Sequence, residues 1–256
     1  MKIKAYGATD IGKVRENNED NFLIYSAGDE KEGSISKKKT TEKGVLLLVA
    51  DGMGGAAAGE TAAALVISSA RAYSKEAINE VTPMEIAYNS LIIAHEACRI
   101  VVEKNPSLAG MGSVATIVFV KDEKAFIAQV GDTRLYLYRN HSLEQITEDQ
   151  NLVTELVKFG LITEEQAQYH PQRNAVTQAV GAGDDLNPVE TILELEIGDK
   201  LLLCSDGLNG TVSDVEIQLI LDGSNDLEDV LQTLIDTANA NGGHDNITII
   251  LAEILE

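Results

Sequence analysis

The 256-residue chain has no tryptophan, 4 phenylalanines, 4 prolines and 2 cysteines. With so few aromatic side chains, its core must be mainly aliphatic, and the 44% hydrophobic content is enough for one large domain or two small ones. Cys98 and Cys204 both stand in apolar surroundings. We therefore expect two buried free thiols and a reducing, cytoplasmic setting.

Long apolar segments are missing as well. No run approaches the ~20 residues needed to span a bilayer, and the N-terminal MKIKAYGATD lacks the apolar stretch of a signal peptide. We expect no membrane association. Basic residues are also scarce, since 20 Lys and Arg stand against 41 Asp and Glu, a formal net charge of −21. Such a surface repels a phosphate backbone, so nucleic acid is not an expected partner. No coiled coil or large apolar patch requires an oligomer, and a monomer is expected.

The order of apolar segments favours an α+β fold. Segments rich in Val, Ile, Leu, Tyr and Thr predict strands at residues 3–9, 21–25, 45–50, 114–120, 125–130, 135–138, 200–204 and 247–252. Helical patterns cover residues 59–75, 83–104, 148–159, 213–222 and 227–240. Because strands and helices do not alternate strictly, the order favours antiparallel sheets with helices packed outside. Residues 29–44 are predicted to form an exposed hairpin-like loop, and residues 150–190 an excursion between strands.

Two strand-like segments end in the same way. LLLVADGMGG runs into Asp51 and Gly52, and LLLCSDGLNG runs into Asp206 and Gly207. A tight hairpin is the ordinary interpretation of an Asp-Gly pair. Here a helical pattern follows each pair instead of a returning strand, which excludes that turn. The glycines would let the backbone turn sharply and bring a carbonyl close to an ion.

Acidic residues stand at the ends of five predicted strands, namely Glu19, Asp20, Asp51, Asp132, Asp206 and Asp245. If these ends meet at one edge, the carboxylates repel each other and must either take up protons or bind a cation. An all-oxygen donor set favours Mg²⁺ or Mn²⁺. The 4 histidines are scattered along the chain, which disfavours an imidazole zinc site.

Other phosphate chemistries fit poorly. GMGGAA at residues 52–57 matches a loose dinucleotide-binding pattern, but Asp51 would place a negative charge beside the pyrophosphate. The phosphate-binding pattern G-x-x-x-x-G-K-S/T is missing. Neither cysteine has an arginine six residues downstream, as a cysteine phosphatase requires, and there is no D-x-D motif for an aspartyl-phosphate mechanism.

Eight ordered blocks resemble those of metal-dependent protein phosphatases of type 2C, in the short bacterial form. They are VRENNEDNF, VADGMGG, AGETAA, GMGSVAT, VGDTRLY, HPQRNAVTQAVG, SDGL and GGHDNITII. The resemblance covers nearly the whole chain and implies one catalytic domain, residues 1–256. It also implies a four-layer α-β-β-α sandwich of two antiparallel sheets flanked by helices, with the metal site in a cleft between the sheets.

The resemblance also implies roles for individual residues. Asp51 would bridge two Mn²⁺ or Mg²⁺ ions, one of them also bound by the Gly52 carbonyl. Asp206 and Asp245 would hold the first ion. The remaining assignments are Glu19 at the second ion with Asp20 supporting it, Asp132 at a third, weaker site, Arg15 on the substrate phosphate, and Asn246 supporting Asp245. The ordinary alternative for Arg15 is a surface ion pair with a neighbouring glutamate.

The implied reaction is hydrolysis of phosphoserine or phosphothreonine in proteins by a metal-activated water, without a phosphoenzyme. The substrates would be phosphoproteins made by a serine/threonine kinase. Two alternatives stay open: a non-catalytic module that binds phosphoproteins, and a phosphatase of small phosphorylated metabolites.

The chain departs from the family pattern in three places. Met53 replaces a histidine that is the usual candidate proton donor, so a metal-bound water or His170 would have to take that role. Gln150 replaces the histidine of an Asp-His pair, and Gln178 replaces an arginine. The last two departures fall in the excursion, where they bear on substrate preference more than on the chemistry.

Overall fold

The computed structural model describes residues 1–26, 35–40 and 42–256. Eleven strands lie within these residues: β1 Lys2–Asp10, β2 Asp20–Ser26, β3 Ile35–Thr40, β4 Val45–Met53, β5 Gly112–Lys121, β6 Lys124–Val130, β7 Arg134–Arg139, β8 Ser142–Gln145, β9 Val189–Glu194, β10 Lys200–Cys204 and β11 Ile247–Leu255. Seven α-helices accompany them in the same residues: α1 Ala56–Ala77, α2 Pro83–Lys104, α3 Leu152–Lys158, α4 Glu164–Gln168, α5 Asp206–Asn209, α6 Asp214–Gly223 and α7 Leu227–Ala240.

The strands form two sheets. The first sheet has the order β3-β1-β11-β10-β7-β8, and the second sheet has the order β2-β4-β5-β6-β9. Every neighbouring pair of these strands is antiparallel. The two segments that share the L-L-L-x-x-D-G pattern therefore belong to different sheets, β4 to the second and β10 to the first.

Strand β4 shows why the layers stack as they do. Val45, Leu47 and Val49 belong to the apolar cluster that fills the space between the sheets. The alternate residues Leu46 and Leu48 pack against α1 and α2 on the outer side. Because side chains alternate between the two faces of a strand, a layer buried on both sides requires a continuously apolar strand.

Strand β10 repeats the arrangement in the other sheet. Leu201 and Leu203 join the cluster between the sheets, whereas Leu202 and Cys204 pack with α6 and α7. Helices therefore cover the outer face of each sheet, which confirms the four-layer α-β-β-α prediction. Among the described residues, no helix has both the length and the apolar character needed to cross a bilayer.

Local signals fix the helix starts. Thr82 and Glu85 form a capping box at the start of α2, which has Pro83 in its first turn. Ser213 and Glu216 form the same motif at the start of α6. The predicted helix 83–104 has the bounds of α2, and the predicted helix 227–240 has those of α7.

The prediction of a loop at residues 29–44 is wrong for residues 35–40. These residues form β3, an edge strand that pairs with β1 through Lys2 and Thr40. The polar sequence of β3 has no apolar alternation that would have indicated a strand. Residues 29–34 and 41 lie outside the described residues. Strands β8 and β9 were also missed, because both are short and neither contains a buried residue.

Candidate active site

Two of the predicted carboxylates lie side by side on neighbouring strands. In the antiparallel pair β2–β4, Asp20 stands directly opposite Asp51. Opposed residues point to the same face, with Cβ atoms about 4.5–5.5 Å apart. On β4, Asp51 follows the inner-face residues Val45, Leu47 and Val49 at the same two-residue spacing. Asp51 is thus the acidic end of an otherwise apolar row between the sheets.

Three further aspartates come from other strand ends. Asp132 lies just after β6, Asp206 begins α5 just after β10, and Asp245 lies just before β11. The charges of Asp20, Asp206, Asp132 and Asp245 all raise the pKa of Asp51, after the larger effect of its burial. Carboxylates that are distant in the chain therefore come together at one edge of the sandwich.

Burial and, to a smaller extent, mutual repulsion raise the pKa values of four of these aspartates. Burial, together with the smaller effect of the Asp206 charge, raises the pKa of Asp132 from 3.8 to about 7. Burial is also the largest cause of the raised pKa values of Asp20, Asp51 and Asp206. A group of neighbouring carboxylates that resists ionisation is a site prepared for a positive charge.

Glu19 and Arg15 lie beside this cluster. A guanidinium nitrogen of Arg15 donates to the Asp245 carboxylate at 2.5 Å, with the Arg15 side chain 52% exposed. Burial raises the pKa of Glu19, while the charge of Arg15 lowers it and that of Asp245 raises it. The ion-pair partner of Arg15 is thus an aspartate of the cluster, not a neighbouring glutamate.

The glycines serve close packing. A Cβ atom on Gly52 would lie 2.2 Å from the Gly59 carbonyl oxygen and 2.6 Å from that of Glu19. A Cβ on Gly207 would lie 1.9 Å from the Asn246 carbonyl oxygen. Strand β4 continues through Gly52, so the expectation of a sharp turn is wrong there. Gly207 lies in α5, where the chain leaves β10, and neither glycine has a positive φ. They need glycine because another backbone segment occupies the space that a side chain would fill.

The donors at this edge suit a hard divalent cation. They are carboxylate oxygens with backbone carbonyls nearby, and such sets favour Mg²⁺ or Mn²⁺ over zinc. Within the described residues, no three acidic, histidine or cysteine side chains already enclose a common point closely enough to hold an ion.

Asn246 ties the loop that follows β1 to the start of β11. Its side-chain amide donates to the Ile11 carbonyl at 3.0 Å and to the Asn17 carbonyl at 2.9 Å. Its side-chain oxygen accepts from the Glu19 backbone N–H at 2.8 Å. Its contact with Asp245 is made through the backbone, because the Asn246 N–H donates to the Asp245 carboxylate at 2.9 Å. The three side-chain contacts instead fix the loop that carries Arg15.

Sequence reasoning missed the groups that hold Asp20. The Ser205 hydroxyl donates to the Asp20 carboxylate at 2.6 Å and accepts from the Thr248 backbone N–H at 3.0 Å. Hydrogen bonds from the Ser205 and Thr248 side chains lower the pKa of Asp20, against the larger raising effect of its burial. A serine at the end of β10 gives no sequence signal for a partner on β2.

A cavity of about 660 Å³ opens over the cluster, and Asp132, Asp206 and Asp245 line it. Its wall includes an ion pair that the sequence did not predict. Arg134, at the start of β7, donates to Asp149 through two nitrogens, at 2.8 and 2.6 Å. This two-point pairing holds the guanidinium in a fixed orientation on the cavity wall.

Gln150 and Gln178, which both depart from the family pattern, form a hydrogen bond with each other. The Gln150 side-chain oxygen accepts from the Gly131 backbone N–H at 2.8 Å and from the Gln178 amide at 3.1 Å. Gln178 also bonds both the N–H and the carbonyl of Asn187, at 3.1 and 2.9 Å. The two glutamines thereby join both stems of the excursion to the backbone at the end of β6.

Met53 and His170 are the other positions that the family pattern singled out. Met53 lies at the end of β4, where its methyl group approaches Gly112. The His170 ring accepts from the Gln172 backbone N–H at 3.1 Å, and His170 does not line the described cavity. His244 does line it. The structure thus gives no support to His170 as a proton donor.

Comparison with known proteins gives one family. Residues 27–255 match the family model described as "Protein phosphatase 2C". The "Serine/threonine phosphatase stp" of Listeria monocytogenes is 34% identical over 248 residues, which cover 96% of this chain and 93% of that protein. This chain belongs to the protein phosphatase 2C family.

Two further relatives extend the comparison with the protein phosphatase 2C family. "Protein phosphatase PhpP" of Streptococcus pneumoniae is 42% identical over 147 residues, and this match spans 57% of the chain and only 60% of that relative's length. The solved catalytic domain of the serine/threonine protein phosphatase PstP, in complex with 2 manganese ions, is 32% identical with a TM-score of 0.83. That alignment covers 100% of this chain and 99% of the solved one.

Proposed function

We propose that this chain hydrolyses phosphoserine and phosphothreonine in proteins and depends on Mn²⁺ or Mg²⁺. The observation that carries the proposal is the convergence of five aspartates whose charges act on one another, Asp20, Asp51, Asp132, Asp206 and Asp245. Family membership and the serine/threonine phosphatase relatives support it. The relative solved with 2 manganese ions supports a two-ion site.

The main site fits two ions, because burial and the charges of neighbouring carboxylates raise the pKa values of Asp51 and Asp206, and a bound cation would offset both effects. Asp51 would bridge both ions, and the Gly52 carbonyl would bind one of them. Asp206 and Asp245 would complete the first ion's ligands, and Glu19 would reach the second. When bound, such ions polarise phosphoryl oxygens and make water nucleophilic.

Two aspartates take lesser roles in this proposal. Asp132 would serve a third, weaker site, since it lines the cavity together with Asp206. A 2.6 Å hydrogen bond from the Ser205 hydroxyl already holds Asp20 beside Asp51. Asp20 would therefore support the main site rather than bind an ion directly.

Arg15 would supply the positive group for the substrate. Its guanidinium pairs with Asp245 through one nitrogen, and its side chain is 52% exposed. The planar fork of an arginine matches two oxygens of a phosphoryl group. Arg15 would therefore orient the phosphate and balance charge on the equatorial oxygens during in-line attack.

The cysteines support a mechanism without a phosphoenzyme. Both Cys98 and Cys204 are free and buried. Burial raises the pKa of the Cys98 thiol to about 11 and that of Cys204 to about 12. Because the thiolate is the nucleophilic form, neither is a competent nucleophile near neutral pH. Two buried free thiols also support a reducing, cytoplasmic location, where the substrates would be the products of a serine/threonine kinase.

The test is hydrolysis of a phosphothreonine peptide with Mn²⁺, with excess EDTA, and by Asp51→Asn. We expect EDTA and Asp51→Asn each to abolish turnover. Asp236→Asn is the matched control, because Asp236 is an exposed carboxylate on α7 that bonds only Gln232 in the described residues. Turnover that persists in Asp51→Asn would refute the proposal. Metal binding without turnover of any phosphopeptide would indicate the non-catalytic alternative.

A further inference from the structure

The cavity extends beyond the carboxylate cluster, toward the excursion. Its lining includes Gln168, Arg173 and Asn174 from that excursion, together with Asn209 and Thr211 from the segment after β10. A volume of about 660 Å³ is in the range that holds whole small ligands. It exceeds what a single phosphoryl group needs, so part of it faces the rest of the substrate.

Two arginines line this cavity, and they differ in their partners. Arg134 is held by Asp149 and also donates to the Tyr136 hydroxyl at 2.8 Å. Arg173 is exposed, and its guanidinium has no carboxylate partner within residues 1–26, 35–40 and 42–256. In a chain with a formal net charge of −21, an arginine without such a partner at the mouth of the active site is available to an anionic ligand.

The backbone around Arg173 is fixed. Its N–H donates to the His170 carbonyl at 3.1 Å. A bridge between Asn151 and Val176 ties the same segment to the start of α3. The guanidinium is therefore presented from an ordered turn, which lowers the entropic cost of using it in binding.

We propose that Arg173 forms a subsite for an anionic group that neighbours the phosphorylated residue in the substrate. The subsite rests on the proposed function, because it adds a substrate preference to that reaction. Its ligand is a carboxylate or a second phosphate. Without Arg173, the acidic surface of the chain would disfavour such substrates by repulsion.

The experiment compares phosphothreonine peptides that carry Glu or Gln at each position from three before to three after the phosphothreonine. In the unaltered protein with Mn²⁺, we expect kcat/KM for the Glu peptide to exceed that for the Gln peptide by about two- to fivefold at one or two positions, as for an exposed ion pair. Peptides with phosphoserine in place of that Glu distinguish a carboxylate from a second phosphate. The anion that Arg173 prefers should give the larger increase in kcat/KM over the Gln peptide.

The decisive readout is the Glu/Gln ratio within each variant, which does not depend on overall activity. In Arg173→Gln the ratio should fall to about one, and Arg173→Lys should restore part of it. Lys158→Gln is the matched control, because it removes the same charge from the excursion while Lys158 pairs with Glu148 at 2.6 Å and does not line the cavity. It should keep the ratio.

The outcomes separate the two proposals. A ratio near one at every position in the unaltered protein, or one that survives Arg173→Gln, would overturn the subsite and leave the phosphatase activity standing. If no peptide is hydrolysed in a metal-dependent way, the proposed function itself is overturned.

Discussion

In EDTA at pH 8, Asp132→Asn should make this protein more stable, although it removes a proposed metal ligand. Asp132 is only partly exposed to water, and its partial burial, together with the charge of Asp206, raises its pKa from 3.8 to about 7. Because this pKa is higher in the folded protein than in the unfolded chain, the ionised carboxylate destabilises the folded state. An asparagine keeps the size of the side chain and removes that charge.

The magnitude follows from the shift. Each pKa unit corresponds to about 1.4 kcal/mol, so a shift of about three units sets an upper limit of about 4 kcal/mol. Partial exposure to water lowers the effective value to about 2 kcal/mol. Because the folded pKa lies above the unfolded one, the free energy of unfolding should fall as pH rises from about 4 to about 7 and then level off. The raised pKa values of Asp20 and Asp206 act in the same direction.

The assay is urea unfolding between pH 5 and 8.5, with EDTA or with Mn²⁺. With EDTA, the unaltered protein should lose stability as pH rises, and Asp132→Asn should lose less and be more stable at pH 8. With Mn²⁺ the loss should shrink in the unaltered protein, since bound cations offset the repulsion.

Asp199→Asn is the control for removal of a buried aspartate. Asp199 is 1% exposed and accepts from Arg139 through both oxygens, at 2.7 and 2.6 Å. Breaking this pair should destabilise the protein by about 3 kcal/mol throughout the pH range. If Asp132→Asn in EDTA is less stable than the unaltered protein at pH 8, the argument that burial and repulsion disfavour this charge is wrong.

Three other substitutions test the supports of the site. Ser205→Ala removes the 2.6 Å hydrogen bond to the aspartate on β2, and it should cost about 1–3 kcal/mol in thermal unfolding and weaken Mn²⁺ binding by calorimetry. Gly59→Ala places a Cβ 2.0 Å from a Glu19 carboxylate oxygen, so it should also weaken Mn²⁺ binding. Gln150→Ala removes the acceptor of the 2.8 Å bond from Gly131, and it should raise hydrogen exchange at that glycine.

Each of these three predictions has a control variant or a result that would contradict it. Gly223→Ala, whose Cβ would meet nothing within 4 Å, should leave Mn²⁺ binding unchanged. Mn²⁺ affinity that is unaltered in Ser205→Ala would show that the serine contributes to the fold alone. Unchanged hydrogen exchange at Gly131 in Gln150→Ala would show that the glutamine does not fix this segment.

The sequence predicted the acidic residues but not how they are held. Asp51 and Asp206 were visible because each follows a continuously apolar strand at its end. Their meeting depends on which strands pair, and that is set by contacts far apart in the chain. Family resemblance supplied the four layers and the cleft between the sheets, but the order of strands is known only from the structure.

The hydrogen bonds that hold the site residues in place could not be predicted from the sequence, for a physical reason. Ser205 and Asp20 come together only because β10 and β2 lie in facing sheets. Gln150 and Gln178 looked like losses of family residues, yet their amides satisfy one another and the backbone. Polar residues of this kind have no periodic pattern, so only the folded structure reveals their partners.

The carboxylate cluster is where the core between the sheets ends. Along β4 the inner row Val45, Leu47 and Val49 is fully buried, and the next inner position is Asp51. One more apolar residue there would extend the core and stabilise the fold, whereas burial and the charges of neighbouring aspartates both raise the pKa of Asp51. A fold selected only for stability would not gather five carboxylates at this edge, so the repulsion itself argues for a cation as the partner that the site is built to bind.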